Sequence, residues 1–352
     1  MPGITIVGSG SFVPGDPVSN DALSRVMDTN DAWIRQRAGI GFRHFAAENQ
    51  GASDLAREAS HRALASAGLA AEDIDYIVFC TMTPDYIFPG SGGLLGAKLG
   101  IVGVPALDIR QQCAAMPFAF QVADGLVASG AAQTVLVVGA EAHAGFMPWR
   151  DWDVLYGRST GTVSKEDYDR ATRHRHLAIL FGDGAGALIL KKSTKPGHGL
   201  LGVDVRTDGR LAELIYIEGG GFRRRPYVDP SALEREDHIP RMAGRELFKH
   251  AVTKLPRVVR DLCNKTGIKL TDIDWFIAHQ ANDRINQVVR EALDVPPERV
   301  PSNIARYGNT SGATIPILTD ELLRSNTVRE GDLVCFLALG AGLHWGAALM
   351  RM

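Results

Sequence analysis

The sequence has no long hydrophobic run and no excess of charge of one sign. Its longest stretch without a polar side chain is eleven residues, at 333–343, whereas a membrane-spanning helix needs about 20. The 38 lysines and arginines balance 40 aspartates and glutamates, so the chain lacks the basic surplus typical of nucleic-acid-binding proteins. We therefore expect neither a membrane segment nor a nucleic-acid partner.

Cysteine is scarce, and its spacing excludes two further classes of protein. The four cysteines, at positions 80, 113, 263 and 335, have neither the density of a disulfide framework nor the paired spacing of a zinc site. Each is interpreted as a single thiol, and no metal site is expected. The N-terminus shows no basic segment followed by an apolar one, so we expect no signal peptide and a cytoplasmic location.

The residues that are present indicate an α/β protein. The 352 residues suffice for about two domains, and 45% of them are hydrophobic. Short β-branched runs at 76–80 and 134–138 alternate with Ala-rich stretches of helical spacing. The stretch 53–67 predicts one such helix, which is capped by Ser53 and ended by Gly68.

Three local patterns predict departures from regular structure. The segment VGSGSF at 7–12 lacks the third glycine of a dinucleotide-binding fingerprint and is interpreted as a turn. The segment FGDGAGA at 181–187 lacks the Lys-Ser/Thr pair of a phosphate loop, so it predicts close backbone packing. Pro256 is expected to interrupt a helix that starts near Glu246, because proline removes a backbone donor.

An internal repeat gives the clearest indication of the architecture. DIDYIVFC at 73–80 recurs 199 residues later as DIDWFIAH, and VLVVGA at 135–140 is echoed 201 residues later by FLALGA. Chance similarity is the alternative, since the matching segments are short. A duplication predicts two α/β halves, 1–195 and 196–352, related by pseudo-two-fold symmetry. Cys113 then maps onto Gly312, so that two Gly-flanked helix entries face each other.

Three polar residues are candidates for catalysis. Cys113 lies between an apparent strand and an apolar helix, where the helix N-terminus favours a thiolate; a packing cysteine is the alternative. His279 ends a repeated strand, where α/β sheets place their sites, although a lone histidine is more often structural. Asn309 occupies a Gly-bounded loop, in which asparagine often serves only the turn. The repeat brings the Asn309 loop opposite Cys113.

Two segments look like excursions from the repeat. Residues 149–175 are polar and irregular, and residues 218–241 are rich in glycine, arginine and proline. Long loops of this kind are often functional.

Taken in order along nearly the whole chain, the motifs resemble those of one family. They are TNDAWIRQRAGI at 29–40, FP at 88–89, Cys113, FGDGAGA at 181–187, HQAN at 279–282, GNTS at 308–311 and GAGLHWG at 340–346. The chain resembles β-ketoacyl-acyl-carrier-protein synthase III, a condensing enzyme of the thiolase superfamily. The resemblance implies a thiolase-like fold and an acyltransferase of fatty acid biosynthesis.

The resemblance also implies a mechanism. Cys113 would take an acyl group from an acyl-CoA as a thioester, and the product is a 3-ketoacyl chain made with malonyl-acyl-carrier protein after loss of CO₂. His279 Nε2 and the Asn309 amide would stabilise the enolate. The backbone N–H groups of Cys113 and Ala341 would form the oxyanion hole; the family usually has glycine at the position of Ala341, but the donor is backbone.

Further residues are assigned by the same resemblance. Trp33 and Arg175 would stack on the CoA adenine, Arg37 would reach its phosphates, and Met242, Gly244 and Asn282 would line the pantetheine channel. Lys249 and Arg284 would meet the acidic carrier protein. A homodimer is implied, in which Phe88 enters the partner's acyl pocket. No cofactor is implied, because the CoA thioester is a substrate.

The chain also departs from the family pattern, which bears on its substrate. The thiol lies in QQCAAMP at 111–117 rather than in a context of small residues, and the 149–175 excursion is longer than typical. We expect primers longer than acetyl, with this excursion shaping the entrance or the wall of the pocket and the adaptable side chain of Met116 accommodating variable chains. Two alternatives stay open at this point: a non-decarboxylating acyltransferase to an alcohol or amine, and a non-catalytic partner subunit.

Overall fold

A computed structural model describes residues 3–352 as alternating strands and helices. The strands are β1 (Ile4–Phe12), β2 (Val18–Ser19), β3 (Phe42–Arg43), β4 (Tyr76–Cys80), β5 (Ala106–Ile109), β6 (Thr134–Glu141), β7 (Gly184–Lys192), β8 (Gly199–Thr207), β9 (Ile215–Tyr216), β10 (Arg241–Met242), β11 (Trp275–Ala278), β12 (Leu333–Gly340) and β13 (His344–Arg351). The helices are α1 (Asn20–Leu23), α2 (Asp31–Ala38), α3 (Ala52–Ala67), α4 (Ser91–Lys98), α5 (Ala115–Ala128), α6 (Trp152–Leu155), α7 (Lys165–Arg173), α8 (Arg175–Ala178), α9 (Ser231–Glu234), α10 (Gly244–Thr266), α11 (Asp283–Leu293), α12 (Ile304–Tyr307) and α13 (Thr314–Arg324).

Two sheets of matching topology form the frame of the molecule. The first has the order β1-β7-β6-β4-β5, and the second has the order β8-β13-β12-β11. When each sheet is followed in this order, its first two pairs of adjacent strands are antiparallel and its third pair is parallel. The predicted duplication of an α/β unit is therefore confirmed, with β4 matching β11 and β6 matching β12.

The helices divide the molecule into layers. Helices α5 and α13 lie between the two sheets, whereas α3 and α4 cover the outer face of the first sheet and α10 and α11 cover that of the second. Every residue of β6 is buried, because a sheet covered on both faces selects near-continuous apolar strands. The central core is shared by both halves, and Phe120 of α5 packs edge-on against Phe336 of β12 at 5.0 Å.

Two glycines let the halves approach each other at the site. A Cβ at Gly139 of β6 would lie 2.2 Å from the Gly312 carbonyl oxygen, and a Cβ at Gly340 of β12 would lie 2.9 Å from the Cys113 nitrogen. Each strand end thus touches the helix-entry turn of the other half. The two turns also match in conformation, since Gln112 and Ser311 both have a φ of 47°.

Three local expectations were wrong. Helix α3 begins one residue earlier than predicted and has Gly51 as its N-cap, while the Ser53 hydroxyl donates to Asp85 at 2.8 Å. Pro256 does not interrupt α10, which runs for 23 residues with the proline inside it. The segment 7–12 is not a turn but part of β1, where its glycines allow close packing against α3.

We predict that Gly139→Ala destabilises the protein. The added methyl group would overlap the backbone of Gly312, and overpacking of this kind typically costs roughly 1–3 kcal/mol. The free energy of unfolding, measured by urea denaturation, should fall accordingly. Gly125→Ala is the control, because Gly125 is exposed in α5 with nothing within 4 Å of the added Cβ, and there alanine should stabilise by about 0.5–1 kcal/mol. Equal stability of the two variants would contradict this account.

Candidate active site

A single large cavity collects the chemically interesting residues of both halves. Its volume is about 1420 Å³, and its walls include Cys113, His279, Asn309 and the segment 340–342. Arginines and lysines contribute to the walls as well, at positions 37, 110, 245, 249 and 284, and none of the lining residues in the described chain is acidic. The cavity is therefore suited to an elongated anionic ligand.

Cys113 lies in a short 3₁₀ turn at the entry to α5, as the sequence predicts. Of the four cysteines it is the one that is partly exposed, and its Sγ lies 3.4 Å from Ser311 Oγ. Burial of the sulfur raises the pKa of Cys113 to about 12; the Ser311 hydrogen bond lowers this pKa and the nearby Glu141 carboxylate raises it. Burial of the sulfur thus opposes the thiolate that the helix N-terminus is expected to favour.

His279 follows β11 directly and is buried. Its Nδ1 lies 2.7 Å from Thr314 Oγ1, and its buried Nε2 has no hydrogen-bond partner within residues 3–352. Burial lowers the pKa of His279 to about 3, so the imidazole is neutral. A hydroxyl can accept from or donate to Nδ1, so the neutral ring can present Nε2 as a donor or as an acceptor.

Asn309 is fixed by its backbone on both sides. Its N–H donates to the Leu180 carbonyl at 2.8 Å, and its carbonyl accepts from Gly182 N at 3.1 Å. Its Oδ1 accepts from Ser311 N at 2.8 Å, which leaves the Nδ2 amide as the end available to a ligand. A Cβ at Gly182 would lie 2.5 Å from the Tyr307 carbonyl oxygen, so the close backbone packing predicted for 181–187 is confirmed.

The residues predicted to bind substrate lie around the same cavity. Its walls include Trp33, Arg37, Phe88, Met242, Gly244, Lys249, Asn282 and Arg284, together with Ala341 beside the Cys113 turn. Arg175 is not a wall residue, but its Cζ lies 4.6 Å from the centre of the Trp33 ring, and that of Arg37 lies 4.2 Å from it. The two guanidinium groups thus cover the indole that was predicted to stack on adenine.

Asn282 connects two parts of the cavity wall, whereas Phe88 is exposed. Asn282 caps α11 through Arg284 N at 3.0 Å and also donates to the Arg37 carbonyl at 2.9 Å, so it ties the two cavity walls together. Phe88 is 76% exposed and stacks loosely on Phe222 at 6.5 Å. An ordinary core role for Phe88 is therefore excluded within this chain.

The two excursions behave differently from each other. Trp149 and Leu155 are buried, and Trp149 and Trp152 pack edge-on against Phe45. None of residues 149–175 lines the cavity, so the expectation that they form the pocket wall is wrong, whereas Arg175 at their end covers the wall residue Trp33. Met116 is likewise buried in the central core rather than in the wall. The second excursion does reach the cavity, through residues 219–222 and Pro240.

Several site residues were missed at the level of sequence. Ser311 and Thr314 contact the thiol and the imidazole, and both lie in or beside the GNTS motif. Glu141 is a fully buried carboxylate at the end of β6. The sequence signal for Glu141 was a single acidic residue at the end of an otherwise apolar strand. Arg110, which lines the cavity at the end of β5, had no comparable signal.

Metal and membrane features are absent from the part of the chain that the structure describes. Residues 3–352 contain no cluster of three or more His, Cys, Asp or Glu side chains arranged to hold a metal ion. Among the same residues, no helix combines the length and apolar character needed to cross a membrane.

Comparison with known proteins identifies relatives over the whole chain. The family model of 3-oxoacyl-(acyl-carrier-protein) synthase III matches residues 107–209, and the model of its C-terminal part matches residues 263–352. Proteins named β-ketoacyl-(acyl-carrier-protein) synthase III are similar to it: that of Xanthomonas oryzae pv. oryzae is 40% identical, covering 98% of this chain and 97% of the relative, and that of Rhodospirillum centenum is 37% identical, covering 98% of each.

Solved structures agree with the sequence relatives. The synthase III of Aquifex aeolicus superposes with a TM-score of 0.84 at 35% identity, covering 99% of this chain and 100% of that one. A structure described as the priming β-ketosynthase of a polyketide biosynthetic pathway also superposes with a TM-score of 0.84, at 29% identity, covering 99% of this chain and 96% of that one.

We predict that iodoacetamide modifies Cys113 selectively and slowly at neutral pH. Because burial raises the pKa of this thiol to about 12, the thiolate fraction and hence the alkylation rate should rise about tenfold per pH unit between pH 7 and pH 9.5. Peptide mapping by mass spectrometry gives the rate at each cysteine. The buried Cys80 and Cys335, whose pKa values are also raised by burial, serve as internal controls. A rate that levels off below pH 9 would contradict the prediction.

Proposed function

The chain belongs to the β-ketoacyl-acyl-carrier-protein synthase III family, and on that premise we propose that it joins an acyl-CoA primer to malonyl-acyl-carrier protein. Two carbons are added and CO₂ and CoA are released, giving a 3-ketoacyl product. The observation that supports this proposal most directly is that Cys113, His279 and Asn309 line the same cavity. There the Nε2 of His279 has no hydrogen-bond partner in the described chain.

The first half-reaction is acyl transfer to Cys113. The thiol sulfur attacks the acyl carbonyl, the carbon–sulfur bond to CoA breaks, and the thiol proton leaves with CoA. The N–H groups of Cys113 and Ala341 are proposed to stabilise the tetrahedral oxyanion, since the end of β12 lies directly against the Cys113 turn. No cofactor is needed for this step, because the thioester itself supplies the activated acyl group.

The second half-reaction needs hydrogen-bond donors for an enolate. Loss of CO₂ from the malonyl thioester places negative charge on its carbonyl oxygen, and the resulting carbanion attacks the acyl group on Cys113. The new carbon–carbon bond forms, the bond between the acyl carbon and Cys113 Sγ breaks, and the released thiolate takes up a proton. His279 Nε2, in its N–H form, and the Asn309 Nδ2 amide are proposed as donors to that oxygen. The dry, neutral surroundings that depress the pKa of His279 also strengthen such hydrogen bonds.

The cavity walls are proposed to hold the carrier groups of both substrates. Trp33, Arg37 and Arg175 are proposed to hold the nucleotide of CoA, and Met242, Gly244 and Asn282 to line the pantetheine path, because all but Arg175 line the cavity and Arg175 covers the Trp33 ring. Lys249 and Arg284 are proposed to meet the acidic carrier protein, because both are basic and line the cavity. A specialised pathway fits the same chemistry, as the polyketide-priming structural neighbour illustrates. The cytoplasm stays the expected location.

The second candidate function, acyl transfer to an alcohol or amine, is not favoured. Simple transfer requires the thiol and its oxyanion donors but no enolate hole. Here the His279 ring and the Asn309 amide are both held in place by hydrogen bonds from Thr314 and Ser311. A non-catalytic subunit would not need the partly exposed thiol of Cys113.

We predict that His279→Ala and Asn309→Ala separate the two half-reactions. Each variant removes one enolate donor, so malonyl-thioester decarboxylation should fall roughly 10²- to 10³-fold, whereas acylation of Cys113 by acyl-CoA should be retained at least in part. Intact-mass and peptide analysis follow acylation, and CO₂ release follows decarboxylation. His61→Ala is the control, because His61 is exposed on α3. Wild-type decarboxylation in both variants, or no acylation of Cys113 in the wild-type enzyme, would refute the proposal.

A homodimer is the proposed assembly. Strand β5 is an edge of the first sheet, and exposed apolar side chains lie on and near it, at Leu107, Val102 and Phe88. Unpaired edges and contiguous apolar surface favour association, and two-fold dimers are the commonest soluble assembly. In such a dimer the partner's Phe88 would border the acyl pocket.

We predict a dimer by sedimentation and a role for Phe88 in primer choice. Primers from acetyl-CoA to dodecanoyl-CoA are compared by kcat/KM, with primers longer than acetyl expected to be accepted because each buried methylene contributes about 0.8 kcal/mol. Phe88→Ala should shift the preferred chain length, whereas Phe42→Ala, at an exposed phenylalanine on β3, should not. A fully active monomer, or an unchanged preference in Phe88→Ala, would contradict the assembly; a strict acetyl-CoA optimum would contradict the primer range.

A further inference from the structure

Glu141 is a buried carboxylate that the proposed chemistry does not use. It ends the apolar strand β6, its exposed fraction is 0%, and it forms no ion pair within residues 3–352. The titratable groups that its charge reaches are Cys80, Cys113 and His143. An unpaired buried charge is costly, so its surroundings must stabilise it specifically.

Five hydrogen-bond donors surround the carboxylate. They are Thr81 Oγ1 at 3.1 Å, Thr83 Oγ1 at 2.7 Å, Met82 N at 3.0 Å, Thr83 N at 3.1 Å and Gly312 N at 3.2 Å. An ionised carboxylate is an acceptor only, whereas a protonated one would need an acceptor of its own. The shell of donors therefore fits the anion.

The same donors come from both halves of the molecule. Residues 81–83 follow β4 and lead toward Phe88, whereas Gly312 belongs to the turn that carries Ser311 and follows Asn309. Glu141 thus joins the end of β4 to the turn that orients the Asn309 amide. The Ser311 hydroxyl in that turn lies 3.4 Å from Cys113 Sγ.

We propose that Glu141 is a positioning residue, which holds the 309–313 turn in register with Cys113 and places a negative charge behind that turn. The inference deepens the proposed function and rests on it. A thiolate at Cys113 would be a second anion in the same dry site, and like charges oppose each other there. The charge of Glu141 adds to the effect of burial on the pKa of Cys113.

Glu141→Gln tests the electrostatic part of the inference. The variant keeps the size of the side chain, but it removes the charge and turns an amide NH₂ toward groups that are all donors. Alkylation of Cys113 by iodoacetamide at pH 7.5 should become at least tenfold faster, with the pH profile displaced to lower pH. Malonyl-thioester decarboxylation should fall at least tenfold, because the Gly312 hydrogen bond is weakened. An unchanged alkylation profile would overturn the inference.

Asp320→Asn is the matched control. Asp320 is also a buried carboxylate that joins the halves, accepting from Ser9 Oγ at 2.9 Å and Ser11 Oγ at 2.6 Å, but it is paired with Arg324. Its variant should lose stability and keep the alkylation profile of the wild type. A displaced profile in this control as well would overturn the electrostatic reading, since general loosening would then explain both.

Glu141→Asp provides a second route if the glutamine variant does not fold. Aspartate keeps the charge but withdraws it from Gly312, so decarboxylation should fall at least tenfold at an unchanged unfolding midpoint and an unchanged alkylation profile. Wild-type decarboxylation in that variant would overturn the positioning role. Failure of the proposed function would look different, because wild-type Cys113 would then take no acyl group from acyl-CoA whatever the alkylation profiles show.

Discussion

The close approach of two strand ends to two turns is the constraint on which the site depends. Gly139 abuts the turn at Gly312, and its symmetry mate Gly340 abuts the turn at Cys113. Backbones can meet this closely only where a Cβ is absent. Each half therefore supplies a strand end that holds the other half's helix entry in place. The Cys113 thiol and the turn that carries the Asn309 amide face each other because the two duplicated halves pack together at these strand ends.

The dryness that follows from this packing governs the chemistry. Burial raises the pKa of Cys113 and lowers that of His279, so it favours the neutral form of both groups. The position of Cys113 at the start of α5 offers dipole stabilisation to a thiolate, and desolvation of the sulfur opposes it. Reactivity thus depends on the entering thioester. The sulfur of Cys113 attacks the thioester carbonyl, and the thiol proton leaves with CoA.

Sequence reasoning was most successful where a pattern extended over many residues. The repeat predicted the duplicated fold, and strand endings located Cys113 and His279 correctly. It failed where one contact decided the outcome: Pro256 sits inside α10 and the glycines of segment 7–12 lie in β1. Glycine favours turns when considered alone, yet here it allows β1 to pack on α3. Such contacts join residues far apart in sequence, so local propensity carries no information about them.

The two excursions show why extra length by itself does not locate a pocket wall. The aromatic residues of 149–175 find partners around Phe45 and stay in the core. Its helix α7 ends beside the second excursion, where Arg173 and His174 both reach Glu236 at 2.6 Å. The second excursion is in turn gathered around the buried Asp237 by Arg224, Arg235 and Arg241, and it presents residues 219–222 to the cavity. The first excursion therefore reaches the substrate path in two ways: its last residue, Arg175, covers the wall residue Trp33, and its helix α7 contacts the second excursion, whose residues 219–222 line the cavity.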